Sequence, residues 1–185
     1  AETLDALADA LAAAGVRELT RPALPTRDPA TAGLEAALRR AGESAAARAT
    51  FARAAVVARR VGDADLLAPA ALEFGGIGRE RLGADHDWIA LLEEALAALR
   101  DDGPLRARVQ AARAMALFWT DSLERCDALS REAVAMARRL GDPATLAFAL
   151  DCRLKAVWDA DGLPERVACA DEMLGLAQAV GDRSL

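Results

Sequence analysis

Apolar residues recur every three or four positions along most of the chain, the spacing that gives an α-helix one buried face. A clear example is the stripe formed by Leu146, Leu150, Leu154 and Val157. The pattern predicts helices at about residues 3–14, 31–41, 44–61, 64–74, 87–100, 104–119, 123–140, 143–158 and 164–180. The stretch 20–30 contains three prolines and is predicted to be a linker.

A turn built on a Gly-Asp pair recurs between the predicted helices. It appears in ARRVGDADLLAPA (58–70), ARRLGDPATLAFA (137–149) and AQAVGDRSL (177–185). The interval from Gly141 to Gly181 is about 40 residues, and the interval from Gly62 to Gly141 is close to twice that. A further turn is therefore expected near residue 102, where Asp101-Asp102-Gly103-Pro104 forms a degenerate version. The chain predicts an internal repeat of about 40 residues.

Each Gly-Asp pair has the chemistry of a corner between two antiparallel helices. Arginines before it suit the negative carboxyl end of a helix. Glycine tolerates the left-handed conformation that ends many helices, and aspartate caps the helix that follows. Pro143 is at the first position of the predicted helix, where proline is favoured.

Other helix boundaries are indicated by shorter signals. Asp121-x-x-Glu124 is typical of a capping box, and Pro164-Glu165 of a helix start. Pro69 lies inside a predicted helix, where it removes a backbone hydrogen bond, so a kink or a late helix start is expected there.

Composition agrees with an all-helical chain and excludes several functions. The 185 residues are 54% hydrophobic but only 4% aromatic, and alanine and leucine dominate over the residues that strands favour. The net charge of −6 gives no positive field for nucleic acid. No apolar run is long enough to span a membrane, so a cytoplasmic protein without membrane contact is expected.

Candidate catalytic and cofactor chemistry is weak throughout. The three cysteines, Cys126, Cys152 and Cys169, are far apart, and His86 is the only histidine, so no metal site is predicted. The cysteines are expected to be buried apolar residues. The glycines at 75–83 lack a phosphate-loop pattern, and no nucleophile motif appears. No catalytic residue, metal or cofactor is predicted.

Two sets of residues are candidates for a partner-binding groove. Arg106, Gln110 and Arg113 share one stripe of a predicted helix, and Arg153 lies one repeat period after Arg113. If these positions stack into a ladder, they are suited to a carboxylate-bearing peptide; solvated arginines or internal ion pairs are the alternative.

Trp119 and Trp158 form the second set. They lie equally far along the chain from the turns that precede them, at Asp102 and Gly141, and therefore occupy equivalent places. They either seal the gap between consecutive hairpins or anchor a partner peptide.

One segment, AGESAAARATFARAA, resembles the core of a tetratricopeptide (TPR) repeat. Gly42, Ala47, Phe51 and Ala54 match its small and aromatic positions, whereas the period near 40 exceeds the usual 34. LLEEALAAL (91–99), 128–150 and 163–185 are similar to the helical-repeat region of large bacterial regulators of the LuxR-type, MalT-like class. That resemblance, over roughly 40–185, implies a right-handed TPR-like α-solenoid beside an ATPase module of the STAND or AAA type and an output module.

The predicted organisation is an N-terminal helix and proline-containing linker at 1–30, followed by a repeat array at 31–185 that is truncated at its carboxyl end. Truncation is expected to expose an apolar surface at that end, and two copies of the chain are able to form a homodimer through it. The expected function is a non-catalytic interaction and sensor scaffold that binds a protein, a peptide or other domains of the same longer chain. A free-standing TPR adaptor and, less favoured, a helical enzyme are the alternatives.

Overall fold

The computed structural model describes residues 44–76, 83–158 and 161–180 of the chain. Within these ranges the fold is all-helical, without a strand, which confirms the predicted fold class at that level. The helices are α1 Ser44–Val61, α2 Ala64–Gly76, α3 His86–Ala98, α4 Pro104–Ala116, α5 Leu123–Leu140, α6 Pro143–Ala156 and α7 Leu163–Val180. The helices predicted at about 3–14 and 31–41, the linker at 20–30 and the Gly181-Asp182 turn lie outside the described residues.

The chain forms two compact units, Ala1–Arg81 and Leu82–Leu185. The first contains α1 and α2 and the second contains α3 to α7. The predicted domain boundary after residue 30 lies outside the described residues.

In the first unit, α1 and α2 form a hairpin around the Gly62-Asp63 corner. Gly62 has φ 69°, and the Asp63 carboxylate accepts the backbone N–H groups of Asp65 and Leu66 at 2.9 and 3.2 Å. Arg48 donates to the Phe74 carbonyl at 3.2 Å and stacks on the Phe74 ring, which closes the other end of the hairpin.

Pro69 does not delay the start of α2. The helix begins at Ala64 and continues through Pro69 to Gly76, so a late start, one of the two expected consequences, is wrong. Residues Leu66 to Ala68, Ala70 and Ala71 are buried on both sides of the proline, and packing against α1 therefore holds the helix through it.

In the second unit, each helix packs mainly on helices close to it in sequence. α4 contacts α3, α5 and α6, and α6 contacts α4, α5 and α7. The core is built largely of small side chains: Ala107, Ala111, Ala133, Val134, Met136, Ala137, Ala149, Leu150, Cys152 and Cys169. Alanine at these contacts lets neighbouring helix axes approach closely.

The corner between α5 and α6 has the predicted chemistry. Gly141 has φ 69° and donates its N–H to the carbonyls of Ala137 and Arg138, both at 3.2 Å. The Asp142 carboxylate caps α6 by accepting the N–H of Thr145 at 3.0 Å, and Pro143 is the first residue of that helix. Two Gly-Asp corners, at 62–63 and at 141–142, therefore share one geometry.

The turn near residue 102 is built differently from the other two. Gly103 has an extended backbone, with φ −170°, and caps α4 without a side-chain hydrogen bond. α3 already ends at Ala98, and its terminal carbonyls at Leu96 and Leu99 accept the guanidinium of Arg106. An arginine thus ends this helix where a left-handed glycine ends α1 and α5.

The predicted capping box at Asp121 and Glu124 is wrong by one residue. Ser122 is the N-cap of α5, and its hydroxyl accepts the N–H of Arg125 at 3.2 Å. The Asp121 carboxylate instead accepts the N–H of Ser122 at 2.8 Å and pairs with the side chain of Arg125. The preceding helix also ends early, at Ala116, and continues as a 3₁₀ turn at Leu117–Trp119.

Candidate functional site

The three polar residues predicted to line a groove on α4 all contact neighbouring helices. Arg106 caps the carboxyl end of α3 as described above. Gln110 donates to a Glu132 carboxylate oxygen of α5 at 3.1 Å, and Arg113 pairs with Glu93 of α3 at 2.9 Å. These side chains therefore connect α4 to the helix before it and the helix after it.

Arg153 of α6 is buried, with 3% of its surface exposed. Its Nη1 donates to the Ser130 hydroxyl at 2.8 Å and to the Asp127 carbonyl at 3.1 Å. Its Nη2 reaches the Asp127 carboxylate at 2.9 Å, and its Nε reaches Glu165 at 2.8 Å. One guanidinium therefore joins α5, α6 and α7, which is the fork geometry that suits arginine to interior ion pairs.

The charge of Arg153 is stabilised by these partners. Burial by itself lowers the pKa of the guanidinium, but hydrogen bonds to Glu165 and Asp127 outweigh that effect, and the pKa lies above its ordinary value. Arg138 of α5 pairs in a similar way with Glu172 of α7 at 2.6 Å, and this hydrogen bond raises its pKa.

These contacts change the picture of the arginine ladder. Arg113 and Arg153 each bind a carboxylate of the preceding helix. Arg153 has almost no exposed surface to offer a partner. Internal ion pairs, the alternative considered from the sequence, are what the structure shows at these positions.

The two tryptophans predicted to occupy equivalent places are exposed. Trp119 has 56% of its surface accessible and Trp158 has 59%, so neither is buried between hairpins. Trp88, by contrast, is buried at the start of α3. Two large apolar side chains in water are the kind of feature that marks an interaction surface.

A leucine accompanies each exposed tryptophan. Leu123, with 40% of its surface exposed, begins α5 after Trp119, and Leu163, with 57%, begins α7 after Trp158. We call Trp119, Leu123, Trp158 and Leu163 the tryptophan rim.

The fold places the two halves of the tryptophan rim at the same end of the second unit. α4 and α6 each pack on α5 and are joined to it by short connections, so each runs antiparallel to it. α4 and α6 are therefore parallel neighbours, and both tryptophans follow the carboxyl ends of these helices. Helices in contact are about 8–10 Å apart, which is within the span of a short extended peptide.

Each tryptophan has one aromatic or cationic neighbour. The guanidinium carbon of Arg166 lies 3.7 Å from the ring centroid of Trp158, a cation–π contact. Trp119 and Phe118 form an edge-to-face pair, with centroids 5.1 Å apart and ring planes at 87°. Such a pair covers at most one face of the indole.

Carboxylates outnumber arginines around the tryptophan rim. Asp121 and Glu124 follow Trp119 in the sequence, and Asp161 and Glu165 follow Trp158. Glu124 and Asp161 are exposed, whereas Asp121 pairs with Arg125 and Glu165 pairs with Arg153. The two exposed carboxylates outnumber the single guanidinium of Arg166, so the charge near the rim favours a positive ligand.

The cysteines are buried, as predicted, and all three carry thiols and not disulfides. Burial raises the pKa of Cys126 and of Cys169, so both favour the protonated form, which is neither a good nucleophile nor a metal ligand. In the parts of the chain that the structure describes, no three metal-ligating side chains come together. Across the same residues, no helix has the length and apolar character needed to cross a bilayer.

Arg166, Leu123 and Leu163 were not among the residues predicted from the sequence. A signal for the leucines is present in the predicted repeat, because Leu163 follows Leu123 by 40 residues and Trp158 follows Trp119 by 39. An apolar residue at a helix start, however, is also typical of the core.

Comparison with known proteins finds no match to this chain among protein-family models, curated proteins or solved structures. Its function is therefore inferred from its own residues and their contacts.

Proposed function

We propose that this chain is a non-catalytic helical-repeat scaffold that binds a protein or peptide through the tryptophan rim. The observation that carries the proposal is the exposure of Trp119 and Trp158, each of which follows the carboxyl end of a helix that packs on α5. Tryptophan is enriched at the energetic centres of protein interfaces because its ring buries a large area and orders few bonds.

The proposed architecture is a right-handed TPR-like α-solenoid with a period of about 40 residues. Two corners of one geometry, at Gly62 and Gly141, support it, as does packing between helices that are close in sequence. The internal pairing of Arg106, Arg113 and Arg153 makes these residues part of the scaffold and leaves Trp119 and Trp158 as the partner-binding residues of the candidate set.

The proposed setting is a cytoplasmic bacterial transcriptional or signalling regulator, in which the scaffold holds other domains of the same protein or a separate partner. This rests on the resemblance of 128–150 and 163–185 to the repeat regions of such regulators. It predicts a Walker-type ATPase segment and an output module in the same reading frame. A frame without them favours a free-standing adaptor.

Selection from a random peptide library tests the binding function. The purified chain is the bait, and a Trp119→Ala/Trp158→Ala variant is used to remove peptides that bind elsewhere. We expect enriched peptides that bind the native chain at least tenfold more tightly than the variant, because interface tryptophans commonly contribute about 2 kcal/mol or more, roughly thirtyfold.

A Val56→Ala/Val61→Ala variant is the matched control. It also removes two exposed apolar side chains, but from α1 in the first unit, and should bind the same peptides with unchanged affinity. Circular dichroism confirms that both variants keep their helices. Peptides that bind all three proteins equally would overturn the proposal.

A further inference from the structure

The second tryptophan of the rim already binds a cation of its own chain. The guanidinium of Arg166 lies over the Trp158 ring at 3.7 Å, and the Nε atom of Arg166 is buried without a hydrogen-bond partner. The ring is thus a principal contact of that guanidinium. Tryptophan provides the strongest cation–π surface among the aromatic side chains.

Among the residues that the structure describes, no cation is stacked on the first tryptophan, Trp119. The residue one repeat period before Arg166 is Cys126, which is fully buried in the helix core. Among the described residues, arginines stack on Phe74, Phe148 and Trp158, but none stacks on Trp119. The nearby Arg125 is instead paired with Asp121 at 3.3 Å.

Trp119 therefore has an indole face that is open to solvent. More than half of the residue is exposed, and the edge-to-face contact with Phe118 leaves at least one face of the ring uncovered. The same chemistry that holds Arg166 on Trp158 is available at Trp119 to a cation from outside the chain.

Charge around the tryptophan rim selects the same kind of ligand. Glu124 is exposed five residues after Trp119, and Asp161 is exposed three residues after Trp158. The whole chain has a net charge of −6, so a cationic segment is attracted at long range and an acidic one is repelled. An arginine side chain combines this charge with a flat surface that stacks on indole.

We propose that the partner of the tryptophan rim is an arginine-containing peptide segment, with one guanidinium stacked on the open face of Trp119. Arg166 occupies the corresponding place on Trp158 and acts there as an internal competitor for a second arginine. This inference rests on the proposed function, since it names the chemistry of the partner that the same rim binds.

Titration of the chain with a defined peptide tests the proposal. The probe is a decapeptide of alternating arginine and glycine, and the control replaces every arginine by citrulline, which is neutral and nearly isosteric. The readout is the NMR signal of each indole N–H, assigned with single Trp→Phe variants. We expect the Trp119 signal to shift with the arginine peptide and not with the citrulline peptide, while the signal of buried Trp88 stays in place.

Two substitutions give opposite expected effects. Trp119→Leu keeps an apolar side chain but removes the π surface, and should weaken binding of the arginine peptide about two- to fivefold. Arg166→Gln uncovers the Trp158 ring and should strengthen binding by a similar factor, with a new shift of the Trp158 signal. The shift of the Trp158 signal, in a spectrum whose other indole signals are unchanged, shows that the gain arises in the folded protein.

Arg125→Gln is the matched control for Arg166→Gln. It makes the same change in net charge close to the rim but removes no cation from an indole. If both variants strengthen binding equally without a shift at Trp158, the attraction is general electrostatics and the proposal is wrong. Equal shifts of Trp119 with both peptides, or no shift, would also overturn it.

Failure of this inference is distinguishable from failure of the proposed function. If the library peptides depend on Trp119 and Trp158 but carry no cation, the proposed binding function is supported and only the proposal of an arginine-containing partner is wrong. If no library peptide depends on the tryptophans and the arginine peptide shifts no indole, both proposals fail.

Discussion

Arg153 shows how one residue changes its role between sequence and structure. Its spacing from Arg113 suggested an exposed ladder, yet its guanidinium is buried among Asp127, Ser130 and Glu165. No rule of helical spacing distinguishes an arginine that faces a groove from one that faces the next helix. Whether Arg153 is exposed or buried depends on where α7 packs.

Replacing Arg153 by methionine should lower the free energy of unfolding by about 2–3 kcal/mol. The variant leaves the buried Ser130 hydroxyl without its donor and two carboxylates without their shared cation. The loss is below that of a fully buried ion pair, because both carboxylates keep access to water. Urea unfolding followed by circular dichroism measures it.

Arg139→Met is the control for this prediction. Arg139 pairs with Asp102 at 3.0 Å, but both side chains are more than half exposed, so the expected loss is less than about 1 kcal/mol. Equal losses in the two variants would contradict the structural role given to Arg153.

At the scale of elements, the helix ends carry most of the information in this sequence. The Gly-Asp corners at 62–63 and 141–142 were predicted with their conformation, because glycine is the residue that accepts a positive φ at little cost. The end of α3 was not predicted, because Arg106 of the following helix caps it through a contact that the local sequence does not encode.

Gly141→Ala should destabilise the second unit by about 1–2 kcal/mol. A Cβ at this position meets no atom within 4 Å, so the cost arises from the backbone at φ 69° and not from a clash. Thermal unfolding compared with the native chain measures the effect.

Gly103→Ala is the matched substitution at the other kind of turn. Its Cβ also meets no atom within 4 Å, but the backbone is extended, which any residue adopts. The free energy of unfolding should change by less than about 1 kcal/mol, because the entropy lost by the unfolded chain opposes the preference for glycine over alanine at a helix N-cap. A loss as large as that of Gly141→Ala would show that the 102 turn needs glycine after all.

At the scale of the second unit, packing between successive helices implies a gradient of local stability. α4 and α6 contact helices on several sides, whereas in α7 Cys169 is the buried residue and Leu174 remains 58% exposed. Elements with few buried contacts open at lower free energy than elements in the core.

Native-state hydrogen exchange should reproduce this gradient. Amides of α4 and α6 are expected to exchange slowest, and those in the second half of α7, which includes Gly175, at least tenfold faster. Uniform protection across α4, α6 and α7 would mean that the second unit unfolds in one cooperative step. That result would contradict an array in which each helix is stabilised mainly by its neighbours.

The sequence by itself determined the helical class, the positions of the described helices to within a few residues, the two Gly-Asp corners and the burial of the cysteines. These follow from apolar periodicity and from the limited set of residues that end a helix, both of which are local properties. Only the tertiary structure decided which polar side chains are internal and which aromatic ones are exposed. Arg153 is enclosed and Trp158 is open because burial depends on the helices that pack against each position, and those contacts are long-range.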